Sequence, residues 1–200
     1  MPSTEPAAPP SEPVGPMLAR ALPGCAGHVI AELAPLFHRH AVAKGTGLLA
    51  QGQVWRDALL VETGLLRLYF VRHDGREFNK NFFADGALFL PLTPAMQEGG
   101  SLFAIGALDA GHVWRADSAA MRRCLQDHGL WQAVQAGMLE RLVSHKLQRE
   151  HDLLTLDGRR RYEAFCRREP VLAERVPLNQ LASYLGMTDV SLSRIRRQTP

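Results

Sequence analysis

VPLNQLASYLGMTDVSLSRIRRQTP, residues 176–200, carries two helical patterns around a sharp turn. Leu178, Leu181, Ala182 and Leu185 fall at steps of one, three and four, so one helix has a buried face, and Ala182 is small enough to admit a second helix closely. Gly186 stands where the first helix must stop and the chain must turn, a place that suits a positive φ. Thr188 is the expected N-cap of the second helix. Leu192 and Ile195 hold that helix to the first and leave Asp189, Val190, Ser191, Arg194 and Arg197 outward. The major groove of DNA accepts such a face, whereas an ordinary C-terminal helical hairpin is the plainer alternative.

Charge supports the DNA reading. The net charge is only +3, but residues 146–200 hold 11 Lys/Arg against 7 Asp/Glu, while residues 1–145 hold 12 against 13. A basic excess at the end bearing the turn is what phosphate contact requires. With 46% hydrophobic and 22% charged residues the composition is that of a globular protein. No apolar run reaches membrane-spanning length and no secretory leader is evident, so a cytoplasmic location is expected. Cys25, Cys124 and Cys166 are odd in number and widely spaced, without a C-x-x-C pair. They read as small buried hydrophobes rather than as disulfides or a zinc finger.

Working backwards, TLDGRRRYEAFCRREP (155–170) predicts a helix with Tyr162, Phe165 and Cys166 inward, arginines outside and Pro170 as its stop. Before it, a helix of about 25 residues starts after Gly129 and would be about 38 Å long. Trp131, Val134, Met138, Leu142 and His145 form one apolar row, and Leu139, Val143 and Leu147 a second. A stripe that broad on a helix that long predicts pairing with its twin about a two-fold axis, the first row forming the interface; packing wholly within one subunit is the competing reading. A shorter helix is expected at 118–127.

From about His38 to Asp117 the chain reads as short strands punctuated by glycine: LLAQG, DALLVETG, LLRLYFVRHDG, REFNKNFFADG, SLFAIGALDAG and HVWRA. Leu66, Leu68 and Phe70 alternate with Arg67, Tyr69 and Val71, and Asp74-Gly75 predicts a hairpin turn with positive φ at both positions. Even spacing of this kind predicts a barrel or roll. Residues 17–37 hold a short helical pattern (Val29, Leu33, Leu36, Phe37), and residues 1–16, with six of the 13 prolines, read as a disordered arm. The expected organisation is an arm (1–16), a roll domain (17–128), a dimerisation helix (129–154) and a DNA-binding domain (155–200).

At LASYLGMTDVSLSRIRR the sequence closely resembles the Crp/Fnr family of bacterial regulators, and the order of roll, long helix, basic helix and helix-turn-helix is similar over nearly the whole chain after the arm. The resemblance implies an α+β protein: a cyclic-nucleotide-binding-like jelly roll, a dimerisation helix and a C-terminal helix-turn-helix. It also implies a homodimer that binds an inverted-repeat operator in double-stranded DNA, engages RNA polymerase and responds to an unidentified small-molecule effector. Arg194 matches the arginine that reads a guanine, and Ser191 a neighbouring polar contact. Asp189 and Val190 depart from residues common in the family, so the base preference does not carry over. The sequence shows no evident β-hairpin wing after the recognition helix, and phosphate contacts are then expected from Arg196, Arg197, Ser183 or the Arg159–Arg161 run, with Thr188 at the helix start.

In cyclic-nucleotide-binding members a Gly-Glu pair holds the ribose and an arginine the phosphate. Aligning FADGALFLPL on that segment puts Leu90-Pro91 and Ser101-Leu102 at those positions. A cyclic phosphate against Phe89, Leu90, Leu102 and Phe103 would be an uncompensated charge costing several kcal/mol, so no cAMP binding is expected. Three scattered cysteines do not supply an iron-sulfur cluster, and any of eight histidines is more readily structural than a haem ligand. No cofactor, metal or catalytic residue is expected. Two other readings stay open: a ligand-sensing or scaffold protein without DNA binding, and a cupin-like metalloenzyme suggested by His38 and His40, though no carboxylate follows them.

Overall fold

The computed structural model describes residues 13–198. Pro13 and Pro16 stand at the head of α1 (Val14–Ala21), where the first amides have no intrahelical partner and proline is tolerated. Residues 14–16, expected in the Pro-rich arm, thus belong to α1, and residues 1–12 of that expected arm lie outside the described residues. Helix α2 (Gly27–Leu33) buries Val29, Ile30 and Leu33 on one face and leaves His28 and Glu32 on the other.

Eight antiparallel strands follow: β1 (His38–Val42), β2 (Gly47–Leu49), β3 (Asp57–Thr63), β4 (Leu66–Val71), β5 (Glu77–Phe83), β6 (Leu88–Phe89), β7 (Ala104–Ala107) and β8 (Gly111–Asp117). They form two four-stranded sheets, β1-β8-β3-β6 and β2-β7-β4-β5, packed face to face as a jelly roll. The interior between them holds Leu59 and Val61 of β3, Leu66 and Leu68 of β4, and Phe89, Phe103, Ile105 and Val113. The alternate β3 residues Ala58 and Leu60 face α1, α2 and the helices after the roll. Strand β3 is thus covered on both sides, which is why DALLVET reads as an apolar run.

Two details of β4 and its turn differ from expectation. Phe70, near the strand end, is 39% exposed, so the alternation holds only for Leu66 and Leu68. At the β4–β5 turn Gly75 has φ 80°, and no residue other than glycine has positive φ among the described residues. Arg72 N–H donates to Arg76 O and Gly75 N–H to Arg72 O, each at 2.9 Å, and Asp74 Oδ1 accepts from Arg76 N–H. One left-handed residue suffices for this three-residue loop, whereas a two-residue turn would have needed two.

After a short α3 (Pro94–Glu98) between β6 and β7, α4 (Ser118–Asp127) starts on Asp117, whose carboxylate accepts from Ala120 N–H at 2.7 Å. Gly129, at φ 67°, turns the chain into α5 (Trp131–Thr155). Helix α6 (Gly158–Arg168) is capped by Asp157, and Pro170 opens α7 (Pro170–Arg175) as well as ending α6. Helices α8 (Leu178–Leu185) and α9 (Asp189–Gln198) complete the chain. Cys25, Cys124 and Cys166 are free and half-exposed rather than buried; Cys25, between α1 and α2, and Cys124 of α4 pack against the edge of the core. No helix among the described residues is long and apolar enough to cross a membrane.

Candidate nucleic-acid interface

The turn between α8 and α9 is closed by backbone geometry. Gly186 is left-handed (φ 66°, ψ 41°), and Met187 N–H donates to Ala182 O at 3.0 Å, so the last carbonyls of α8 are satisfied. Arg161 of α6 donates to Leu185 O at 2.6 Å, adding a cation to the negative end of α8. Thr188 Oγ1 accepts from Ser191 N–H at 3.2 Å and caps α9. Leu181, Ala182 and Leu192 are fully buried between the two helices.

This packing leaves Asp189, Val190, Ser191, Arg194 and Arg197 exposed on one side of α9. Among the described residues no hydrogen bond or ion pair engages Arg194 or Arg197. The other residues expected at DNA are placed differently. Arg196 is held inside the unit: its Nε donates to the Tyr162 hydroxyl at 3.2 Å and its terminal nitrogen to Ala173 O at 2.8 Å. Ser183 Oγ accepts from Asn79 N–H of β5 at 3.1 Å and is half-buried. In the basic run, Arg159 donates to Gln198 at 2.7 Å and Arg161 is the cap just described, while Arg160 stays exposed beside Asp157. Much of the basic stripe, rather than lying solvated, ties α6, α8 and α9 together.

The helix-turn-helix also shares a core with the roll, where Leu65, Phe82 and Leu108 pack with Phe165, Val176, Leu181 and Tyr184. Asn79, buried on β5, donates to Gln180 O and Oε1 at 2.9 and 2.8 Å. Arg149 of α5 donates to Tyr184 O at 2.9 Å and lies over the Tyr184 ring. Asp152, buried near the end of α5, accepts from Gln148 at 2.9 Å and pairs with Arg168 of α6. Burial alone would raise its pKa, but hydrogen bonds from Gln148, Arg168 and His151 hold it below the ordinary carboxylate value.

A second feature lies between roll and α5: a cavity of about 300 Å³ walled by Trp55, Leu68, Phe83, Phe89, Leu90 and Phe103. Of the residues expected at a ligand pocket, Phe89, Leu90 and Phe103 line it and Pro91, Ser101 and Leu102 do not. Leu102 is 78% exposed, and Ser101 is spent on a local turn, donating to Phe103 O at 2.7 Å. The sequence reading missed Lys80, Asn81 and Arg141, which the structure adds to the lining together with Met138, Leu142 and His145 of α5. Lys80 stands in the polar stretch EFNKNFF, whose pattern reads as solvent-facing, and that concealed it. Burial, then Lys146 and Arg149, pushes the Lys80 pKa down to about 8. Burial, then Arg149, Arg168 and Lys80, also lowers that of His145.

The first apolar row of α5 is accordingly turned toward its own roll. Trp131 and Met138 are buried in the core with α1, α2 and α4, Val134 packs against it, and Leu142 and His145 reach the cavity. The exposed apolar residues of α5 are instead Val143 (51%), Leu147 (61%) and Leu154 (78%).

A jelly roll, a long helix along it and a terminal helix-turn-helix define the class of fold. The chain has the Crp/Fnr-like fold, as comparison with solved structures shows. FixK2 from Bradyrhizobium japonicum superimposes with a TM-score of 0.71 at 17% identity, over 81% of this chain and 83% of that one. The c-di-GMP-responsive global regulator CLP from Xanthomonas campestris gives 0.69 at 14% identity, over 86% and 91%. A CooA mutant from Carboxydothermus hydrogenoformans gives 0.64 at 16% identity, over 90% and 81%. No protein-family profile matches the chain, and no curated protein does.

Proposed function

We propose that this chain is a sequence-specific, DNA-binding transcription regulator of the Crp/Fnr type and not an enzyme. The observation that carries the reading is the outer face of α9, where Arg194 and Arg197 project unengaged from a helix capped and braced on its other side. A guanidinium free of intramolecular partners is available for the bidentate contact to guanine O6 and N7. Arg194, nearer the middle of α9, reads a base; Arg197, near its end, meets phosphate. Thr188, Asp189, Val190 and Ser191 border the same groove, while Ser183 and Arg196 support the unit from within.

The protein acts as a homodimer along α5. Val143, Leu147 and Leu154 are spaced by four and seven residues on one exposed face, the spacing of a two-helix seam. Two recognition helices about 34 Å apart then enter successive major grooves of an inverted repeat. The roll serves as a sensor whose cavity suits a mostly apolar molecule with an anionic group rather than cAMP: its walls are aromatic and aliphatic apart from Lys80, Asn81, Arg141 and His145, and among the described residues no carboxylate lines it to accept from a ribose hydroxyl. Selection of binding sites from random duplex DNA, followed by calorimetric titration of cAMP, tests the two claims. An enriched inverted repeat and no heat from cAMP are expected; absence of any enriched sequence sinks the regulator reading.

A further inference from the structure

Helix α2 and the end of α4 pack side by side, and each turns a pair of potential metal ligands toward the other. On α2, His28 and Glu32 are one turn apart; on α4, Cys124 and the C-cap residue His128 are one turn apart. Glu32 Oε2 lies 2.9 Å from His128 Nε2, and the ligand atoms of Glu32, Cys124 and His128 all lie within 4.8 Å of one another. The His28 ring packs edge-on against that of His128, with centroids 5.3 Å apart, and fixes its orientation. None of these side chains touches the recognition helix or lines the roll cavity.

We propose that Glu32, Cys124 and His128 form a binding site for a zinc-class divalent cation. In tetrahedral zinc sites, bonds of about 2.0–2.3 Å separate neighbouring ligand atoms by roughly 3.3–3.8 Å, so the three atoms close on an ion by side-chain shifts of about 1 Å. One thiolate, one imidazole and one carboxylate form a donor set of intermediate softness, which suits zinc and cobalt and disfavours magnesium and calcium. Glu32 is exposed and His128 half-exposed, so an ion has an entry path and its fourth position opens to water. Binding releases the Cys124 thiol proton to solvent and replaces the Glu32–His128 hydrogen bond by two metal bonds. The place matters because His128 immediately precedes Gly129, where the chain turns into α5. An ion there ties the N-terminal helices to the root of the long helix.

The test uses the full chain, free of any affinity tag, reduced and stripped of metal, titrated with Zn²⁺ against a chromophoric chelator and separately with Co²⁺. One zinc per chain is expected, with a thiolate-to-cobalt charge-transfer band in the near ultraviolet and an unfolding temperature raised by zinc. Cys124→Ser should abolish the band, and Cys124→Ser and Glu32→Gln should each weaken zinc binding at least tenfold. The double substitution His38→Ala, His40→Ala, at the exposed pair on β1, should leave both readouts unchanged. The proposal is overturned by zinc below one per chain, by a band that survives Cys124→Ser or disappears in Cys25→Ser, by undiminished affinity in Glu32→Gln, or by binding that vanishes with His38 and His40.

Discussion

At the scale of single residues, two arginines on α9 are assigned opposite kinds of work, and their substitution separates them. Arg194→Ala should cost about 1–3 kcal/mol on the operator and relax preference at one position per half-site. Arg197→Ala should weaken operator and scrambled duplex alike and make the salt dependence shallower by about one unit for each phosphate it no longer neutralises. Binding measured on both duplexes at two salt concentrations decides; an operator-to-scrambled ratio untouched by Arg194→Ala removes it as a base reader. Lys80 gives a different kind of test. Its pKa, pushed down to about 8, lies below the unfolded value of about 10.4, so between these the unfolded chain binds more protons and stability rises with pH. Below about pH 8 the charged ammonium disfavours the folded state by a constant amount. Lys80→Met should therefore melt higher than the wild type at pH 7, with the gap closing as pH approaches 10, as thermal melts across that range would show. Among these residues, the sequence pointed to Arg194 and Arg197 through helical spacing. It also pointed to Arg196 and Ser183, which have the same residue chemistry but are consumed by Tyr162, Ala173 and Asn79. A polar side chain looks alike in sequence whether its partner is DNA or its own fold.

At the scale of elements, α5 carries two apolar rows with different fates. Met138 is buried in the core, so Met138→Ala should lower stability by about 2–5 kcal/mol. Leu147 is 61% exposed, so Leu147→Asp should leave the fold intact and move the proposed dimer toward monomer in sedimentation or light scattering. If Leu147→Asp keeps the wild-type mass at micromolar concentration, the seam lies elsewhere or the protein does not pair through α5. The turn between α8 and α9 is equally specific. A Cβ on Gly186 would sit 3.1 Å from Leu153 Cδ2 and 3.2 Å from an Arg161 nitrogen, in a left-handed backbone. Gly186→Ala should cost about 1–2 kcal/mol from the backbone conformation alone, read by denaturant unfolding. Local pattern foretold these elements well: the glycine turn, the Thr188 cap, and the helix at 118–127 all stand where spacing and capping put them. Pattern did not tell which row of α5 would meet the roll, since both rows are apolar and the choice depends on the angle at which α5 leaves Gly129.

At the scale of the whole molecule, roll and helix-turn-helix share one apolar cluster instead of being joined only by a linker. Phe82 of β5 packs against Tyr184 with ring centroids 5.4 Å apart, inside the cluster that holds Leu181 and Leu185. Phe82→Ala should therefore cost about 3–5 kcal/mol and move thermal unfolding to lower temperature. Calorimetry showing an unchanged transition would mean that this packing contributes little to stability. What the sequence by itself determined was everything carried by neighbours along the chain: strand alternation, helical rows, caps, the turn, and from these the roll, the long helix and the helix-turn-helix. Only the tertiary structure decided which surfaces remain free, because that depends on partners far apart in sequence. Glu32 meets His128 across 96 positions, and Asn79 meets Gln180 across 101. The cations of the cavity come together from β5 and α5 in the same way. Periodicity states which side chains share a face, and only long-range packing states what that face meets.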